Sequence, residues 1–491
     1  MRKLVIFCVL IGMVVISCRK DFEGTPNAQT TPETYAVVDS VRRDSNNLLT
    51  TTVEGRWWGE SKKGFIKGYE VSIDNQVTWK YTQDQKGTFL LNLPFGTDRG
   101  TLPIYVRAID NLGQTDPTPA VMTFPVKNTP PSLEMDYTAG RRTSTFPAFR
   151  YYWTATDVDG AADIQSIEIV LNDTNKAPLV IPGNSFAASF VAVVNGGSFD
   201  TILNVFQNTR IIALPEKLNG VLYNQLNRIF IRSVDRVGAK SQWSKDSIVI
   251  KLPKSDLLMV NDYSTKGAVQ TFYNAQLNAL GAGYNQYDSV LAITNDLPDD
   301  VFTIVKTLDF YKRIVWFSDN PTSTLGLAQL VTTNFFQQGG RMFMVCTMPD
   351  DFQHNSSVFN FTPVQELVAP PSDTRFRMVN GDQMYPHIAG SGWPVLKVTS
   401  PVLPSPARPF KTFTTPSGAF TYDSICGANI RAQSQSSTVV WTGASNVLSK
   451  RIKVGTGKTD MVFCTLPLNL LNGNNNIDSF FRKALINELE F

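Results

Sequence analysis

Four aspartates each follow one of three short apolar runs, and such runs are typical of strands buried on both faces of a parallel sheet. The aspartates are Asp262, Asp319, Asp350 and Asp351, and the runs are Leu257–Val260, Ile314–Phe317 and Met342–Cys346. The carboxyl ends of such strands border the crevice of an open α/β sheet. Carboxylates there could ligate a metal, or act as the acid and base of glycoside cleavage when about 5 to 9 Å apart. Capping of the following helices is the structural alternative for Asp262 and Asp319.

A thiol–histidine pair is the second chemistry to consider, with Cys346 beside His354 or His387, the two histidines of the chain. Cys346 stands in Met-Val-Cys-Thr-Met-Pro, without the flanking glycines of a nucleophile elbow. A cysteine in such an apolar run behaves as a small core residue, and we favour that interpretation. Asp350, Asp351 and His354 could begin a metal site, although no second histidine or cysteine is nearby.

A possible calcium site lies in the Asp-rich stretch at 157–163. Asp157, Asp159 and Asp163 surround Gly160, and calcium binds oxygen ligands of this kind. The full calcium-loop spacing is absent, so an Asp-rich turn between strands explains the same residues. No other cofactor is predicted, and no glycine-rich phosphate loop follows any of the apolar runs.

Tyr385 and Trp393 stand in a proline-rich stretch, residues 352–457, that lacks clear periodicity. Their rings could form a surface that stacks on sugars or docks a protein. Packing of long loops over the sheet would use the same aromatic residues, so both interpretations stay open.

Helical segments separate the apolar runs of residues 254–491. They are Thr265–Gly281, Asp299–Asp309, Leu325–Gln338 and the closing segment Asp478–Leu489. Alternation of strand and helix predicts a doubly wound α/β sheet, interrupted by the irregular insertion at 352–457.

Residues 37–127 and 128–252 predict two all-β domains built on one plan. Both contain short alternating runs separated by Gly, Asn and Asp. Residues 106–113 read Val-Arg-Ala-Ile-Asp-Asn-Leu-Gly, and residues 231–238 read Ile-Arg-Ser-Val-Asp-Arg-Val-Gly. This repeated strand and turn resembles fibronectin type III and immunoglobulin-like sandwich modules. The second copy is longer, and its insertion Phe186–Asn208 predicts either an extra hairpin or a partner-binding loop.

The N-terminus combines Arg2 and Lys3 with an apolar run that ends in Val-Ile-Ser-Cys18. This pattern resembles a bacterial lipoprotein signal, which implies that residues 1–17 are removed and that Cys18 carries lipid. A plain signal peptide with an incidental cysteine is the alternative. Residues 18–36 predict a flexible tether. The charged residues after Cys18 resemble the surface-export signal of Bacteroidetes lipoproteins, so we expect an outer-membrane lipoprotein exposed at the cell surface.

The C-terminal domain resembles the class I glutamine amidotransferase-like fold. The resemblance rests on Tyr311–Phe317, on Phe335-Phe336-Gln-Gln-Gly-Gly-Arg341 with the strand after it, and on the tail from Gly455 to Leu489. It implies a flavodoxin-like sheet. The family's catalytic Gly-x-Cys-x-Gly elbow and His-x-Glu pair have no counterpart here, so the resemblance implies a degenerate domain.

The formal charge is +3 over 491 residues, and no basic patch stands out in the sequence. Both observations argue against a nucleic-acid partner. Two functions follow from these observations. The first is a membrane-anchored, non-catalytic surface lipoprotein that binds a protein or glycan partner. The alternative is a hydrolase of surface glycan or peptide that uses the four aspartates of the crevice.

Overall fold

The computed structural model describes residues 30–43, 50–92, 99–137, 142–158, 160–291, 293–297, 300–353, 357–399, 403, 406–416 and 418–491. The predicted signal peptide and the predicted lipidation residue Cys18 lie outside these residues. Among the described residues, no helix combines the length and hydropathy that a membrane span requires. The chain divides into two units, one of residues 1–132, 156–165 and 234–241 and one of the remaining residues.

The first sandwich spans residues 33–127. Its strands are β1 (Glu33–Arg43), β2 (Thr50–Glu60), β3 (Ile66–Ser72), β4 (Lys80–Thr82), β5 (Lys86–Asn92), β6 (Arg99–Asp110) and β7 (Ala120–Lys127). One sheet has the order β1-β2-β5 and the other β4-β3-β6-β7. Alternate residues of β6 face the core, where Ile104, Val106 and Ala108 are fully buried. The fibronectin III-like sandwich is therefore confirmed.

The first strand begins at Glu33, four residues before residue 37, the expected start of the first sandwich. The hydroxyl of Thr34 accepts a hydrogen bond of 2.8 Å from the backbone N–H of Ala108. This bond to β6 holds the segment in the sandwich, and a pattern of local sequence could not reveal it.

The second sandwich spans residues 132–250. Its strands are β8 (Ser132–Asp136), β9 (Ser144–Thr145), β10 (Ala148–Thr156), β11 (Ile164–Leu171), β12 (Leu179–Pro182), β13 (Ala187–Asn195), β14 (Ser198–Gln207), β15 (Lys217–Asn219), β16 (Leu226–Asp235) and β17 (Ser244–Ile250). The sheets have the orders β15-β14-β13-β10-β8 and β12-β11-β16-β17-β9. The sequence therefore folds into two sandwiches of related plan.

The predicted insertion forms the hairpin β13–β14, and its partner is the C-terminal part of the same chain. The ring of Phe206 lies 4.8 Å from the ring of Phe302. Arg150 donates to Asn208 O and to Ser189 Oγ, and its guanidinium lies 3.5 Å from Asp300 Oδ1. Extra apolar length in this sandwich thus buries surface against the α/β region.

The C-terminal region, residues 257–491, contains the remaining strands and the helices. Its strands are β18 (Leu257–Asp262), β19 (Asp288–Val290), β20 (Arg313–Ser318), β21 (Arg341–Cys346), β22 (Val364–Leu367), β23 (Arg375–Arg377), β24 (Gln383–Pro386), β25 (Leu396–Lys397), β26 (Phe410–Thr412), β27 (Phe420–Ala428), β28 (Arg431–Gln433), β29 (Thr438–Val440), β30 (Asn446–Lys453) and β31 (Thr459–Cys464). Its helices are α1 (Lys266–Ala279), α2 (Ile293–Asp296), α3 (Val301–Leu308), α4 (Pro321–Gln337) and α5 (Ile477–Phe481), which continues as a π-helical segment over Arg482–Glu488.

A nine-stranded sheet with the order β19-β18-β20-β21-β31-β30-β27-β24-β25 forms the centre of this region. The strands from β19 to β31 are parallel, and those beyond are antiparallel. Met259 and Phe317 pack with α1 and α5 on one face. Val260 and Trp316 pack with α3 and α4 on the other. Helices on both faces explain why these strands are apolar throughout.

The proline-rich stretch differs from the prediction of an irregular insertion. It contributes β24, β25, β27 and β30 to the central sheet. β27 carries Thr421, Asp423 and Ser424 among its residues, so it lacks the continuous apolar run that marks a buried strand. Its identity as a strand comes from pairing with β30.

Candidate functional site

Asp262 closes β18 at the carboxyl end of the parallel sheet and is partly buried. Its carboxylate accepts hydrogen bonds from Trp316 Nε1 at 3.0 Å and from Thr324 Oγ1 at 3.3 Å. Burial raises its pKa, although these two donors oppose the shift. Asp262 thus links β18 to β20 and to α4.

Asp319 follows the neighbouring strand β20 and holds the loop after β18. It accepts a bond of 2.8 Å from the backbone N–H of Ser264 and a second bond from the Ser264 hydroxyl. The N-caps of α1 and α4 are Thr265 and Asn320. The alternative that Asp262 and Asp319 cap these helices is therefore wrong, because both carboxylates bind groups across the crevice.

Asp350 and Asp351 lie in the loop after β21. Asp350 forms an ion pair of 3.0 Å with Arg377 and accepts the backbone N–H of Phe376 at 3.3 Å. Arg408 is fully buried, and burial lowers its pKa while the two carboxylates raise it. Its guanidinium donates to Pro349 O and Phe352 O. This loop is therefore held by its own acids and a buried arginine.

The four aspartates lie at the ends of adjacent strands, yet each of the first three already accepts hydrogen bonds from the protein. Among the described residues, the only group of three or more metal-ligating side chains with ligand atoms within 4.8 Å of one another lies elsewhere, in residues 157–235. His354 falls outside the described residues, so the two alternatives that involve it, a pair with Cys346 and a metal site with Asp350 and Asp351, stay hypotheses.

The cysteines of the body are buried thiols. Cys346 and Cys464 have no exposed surface, and burial raises the pKa of each, that of Cys464 to about 12. At neutral pH both remain protonated, and a protonated thiol is a poor nucleophile. The other histidine, His387, lies 3.3 Å from the side-chain amide of Asn446.

The two aromatic candidates differ in exposure. Trp393 is 7% exposed, and its ring packs 5.3 Å from Phe480 in the core. Its burial favours the packing interpretation. Tyr385 is half-buried at β24, and its hydroxyl lies 3.4 Å from Ser445 Oγ. Stacking of a ligand on the Tyr385 ring therefore stays a prediction.

The Asp-rich stretch is joined by a residue that sequence analysis did not select. Ligand oxygens of Asp157, Asp163 and Asp235 lie within 4.8 Å of one another, while the third predicted ligand, Asp159, lies outside the described residues. Carboxylates grouped in this way suit a hard cation such as calcium. The repeated motif of residues 231–238 was the signal that could have pointed to Asp235.

Protein groups already compensate part of this negative charge. Arg236 Nε donates to Asp163 Oδ1 at 2.8 Å. Asp235 Oδ1 accepts the backbone N–H groups of Val237 and Ala239, and Asn128 Nδ2 donates to Asp235 Oδ2 at 2.5 Å. These hydrogen bonds connect residues 128, 163 and 235–239 without a metal ion. Calcium at this cluster stays a prediction.

No family model matches the chain, and no curated protein matches it. Several solved structures do. The fibronectin(III)-like modules of Clostridium thermocellum CbhA have 12% identity and a TM-score of 0.18, covering 44% of this chain and 94% of theirs. A tetra-tandem repeat in the extending region of a large adhesion protein has 12% identity and a TM-score of 0.21, covering 44% of this chain and 49% of that one. The sandwich assignment rests on the strand orders given above.

Proposed function

We propose that this protein is a membrane-anchored lipoprotein, exposed at the cell surface, that binds a protein or glycan partner without catalysis. The observation that carries the proposal is the state of the crevice. Asp262, Asp319 and Asp350 each accept hydrogen bonds from neighbouring protein groups, and Cys346 is a buried thiol. A catalytic carboxylate or nucleophile must instead be available to substrate.

The modular build supports the same proposal. The lipoprotein-like N-terminus would anchor the chain through lipid on Cys18, and two sandwich modules stand between this anchor and the α/β region in the sequence. The degenerate amidotransferase-like resemblance fits a domain retained for binding. That region would then recognise the partner.

Chemical cross-linking and affinity purification of the tagged protein from native membranes tests the proposal. We expect one partner in stoichiometric amount, with cross-links that map to residues 254–491. The Cys18→Ser variant is the matched control, because it keeps the folded region and removes the predicted lipid site. A preparation with no enriched protein and no bound glycan would contradict the proposal.

Hydrolysis is the second candidate, and the raised pKa of Asp262 favours it. A partly buried carboxyl with a raised pKa beside a crevice is a common property of general acids. Hydrolysis of a surface glycan or peptide that is lost in Asp262→Asn, and kept in a variant of exposed Asp423, would establish this function in place of the first.

A further inference from the structure

A polar cleft lies between the second sandwich and the outer strand β19 of the central sheet. Its volume is about 670 Å³, which falls within the range of roughly 300–1,000 Å³ for small-molecule sites. Thr143 and Lys251 line it from the sandwich, Lys254 from the connecting segment, and Gln270 and Asn274 from α1. We call this the lysine cleft.

Neither Lys251 nor Lys254 of the lysine cleft forms a close ion pair among the described residues, although both attract the charge of Asp288. Lys251 and Lys254 are exposed. The Lys251 ammonium lies 5.3 Å from the centre of the Phe146 ring. Asp288 lies behind them, buried and bonded to Tyr311 and to the backbone of Lys254. Asp296 accepts the backbone N–H of Leu291. Both nearby carboxylates thus have other donors.

The amides of the lysine cleft are held in one orientation. Asn274 Oδ1 accepts from Gln270 Nε2 at 2.9 Å and from Tyr287 Oη at 2.8 Å. Gln270 Oε1 accepts from Asn261 Nδ2 at 3.0 Å. With its oxygen occupied twice, Asn274 presents its NH₂ group as a donor. The cleft therefore combines fixed neutral donors with ammonium groups, an arrangement that suits anionic oxygens.

We propose that the lysine cleft binds an acidic saccharide, one that carries carboxylate or sulfate groups. Amides, hydroxyls and one half-buried ring at Tyr287 suit the hydroxyl groups and the apolar face of a sugar. A peptide strand is disfavoured, because β19 is three residues long and the backbone of Leu291, the residue after β19, already bonds Asp296 and Lys266. This inference rests on the proposed binding function and names its ligand class.

Calorimetric titration of the purified full-length protein tests the inference. The probes are trigalacturonate and a heparin-derived hexasaccharide, with maltotriose as the neutral saccharide and hexaglutamate as the acidic peptide. We expect one acidic saccharide to bind at least about tenfold more tightly than maltotriose. Lys251→Gln/Lys254→Gln should weaken that binding by about tenfold, the size expected for lost hydrogen bonds from charged donors.

The double variant Lys62→Gln/Lys245→Gln is the matched control, since it removes two exposed lysines outside the lysine cleft. It should bind as the unchanged protein does. Equal weakening in both double variants, equal binding of hexaglutamate, or no preference for either acidic saccharide over maltotriose would overturn the inference. If the cleft variant still recovers the partner from membranes, the proposed binding function stands while this site assignment fails.

Discussion

Asp110 of the first sandwich and Asp235 of the second occupy the same place in the same turn. Asp110 Oδ1 accepts the backbone N–H groups of Leu112 and Gln114, two and four residues later. Asp235 Oδ1 accepts those of Val237 and Ala239 in the same way. Each turn ends in a glycine with positive φ, Gly113 at 78° and Gly238 at 88°. The shared residues therefore build the turn.

The surroundings of the two turns differ. Asp235 has Asp157 and Asp163 beside it, and the metal-ligand grouping found in the described residues does not include Asp110. The second sandwich also buries Phe206 of its β13–β14 hairpin, which is 7% exposed, whereas β5 of the first sandwich keeps Leu90 63% exposed. The comparison teaches that the repeated motif carries the fold, while residues outside it distinguish the roles of the copies.

The largest expected effect comes from the buried face of the hairpin. Phe206→Ala should lower the free energy of unfolding by about 3–5 kcal/mol, because it removes a buried ring packed on Phe302. The counterpart Leu90→Ala removes an exposed side chain and should change it by less than about 0.5 kcal/mol. Urea unfolding measures both. Equal losses of unfolding free energy would mean that Phe206 contributes no more to stability than Leu90 does.

A smaller loss of stability is expected at an arginine that pairs with a glutamate in each sandwich. Arg107 pairs with Glu70 and lies 4.0 Å from the ring of Trp79. Arg232 pairs with Glu168 and lies 4.0 Å from the ring of Trp243. Arg232→Met should cost about 1–3 kcal/mol, since it removes the hydrogen bonds of a charged donor from a nearly buried carboxylate.

The matched variant Arg107→Met should cost less than Arg232→Met. The Glu70 side chain is 24% exposed and the Glu168 side chain only 10%, so water compensates Glu70 more fully. Chemical unfolding of the two variants in parallel gives the order. A larger loss in Arg107→Met would contradict this use of burial.

Calcium provides the next test of the difference between the turns. If the predicted site is real, calcium at ten times its dissociation constant should add about 1.4 kcal/mol to the free energy of unfolding. Asp235→Asn should abolish this gain, and Asp110→Asn should keep it. Thermal unfolding with calcium and with a chelator measures the shift. An unchanged transition in the unaltered protein would contradict the calcium prediction. The carboxylates would then have only the structural role that their hydrogen bonds give them.

The smallest effects concern pH. Hydrogen bonds from Thr78 and Ser72 lower the pKa of Asp74 in the first sandwich to about 2. Its stabilising contribution is therefore present above the usual value of 3.8 and is lost as pH falls toward 2. Burial raises the pKa of Asp262, so its contribution is largest at low pH and is lost as pH rises through the raised pKa.

These opposite signs can be measured in the slope of unfolding free energy against pH. Asp74→Asn should flatten the acid side, between pH 3.8 and 2, and Asp262→Asn should flatten the slope above 3.8. Slopes that change in the same pH range for both variants would contradict the assignment of the two shifts.

Much of the α/β region could be predicted because its strands are buried on both faces. Leu257–Val260 and Met342–Cys346 were recognised as apolar runs and lie within β18 and β21. β27 was missed because Asp423 and Ser424 break its apolar pattern and its pairing with β30 is long-range.

The site residues show the same limit of local patterns. Asp157 and Asp163 were selected because they are close in sequence, but Asp235 reaches them only through the pairing of strands. Lys251 and Asn274 come from different parts of the chain, and an isolated lysine or asparagine carries no signal of a cleft.

The position of β31 has a consequence for biosynthesis. It pairs in parallel with β21 and in antiparallel fashion with β30, so it joins the two halves of the nine-stranded sheet. A ribosome makes residues 459–464 after every other strand of the central sheet, and domains made earlier can fold first. The central sheet is therefore complete only after residues 459–464 have been made, and until then β21 and β30 each lack one neighbouring strand.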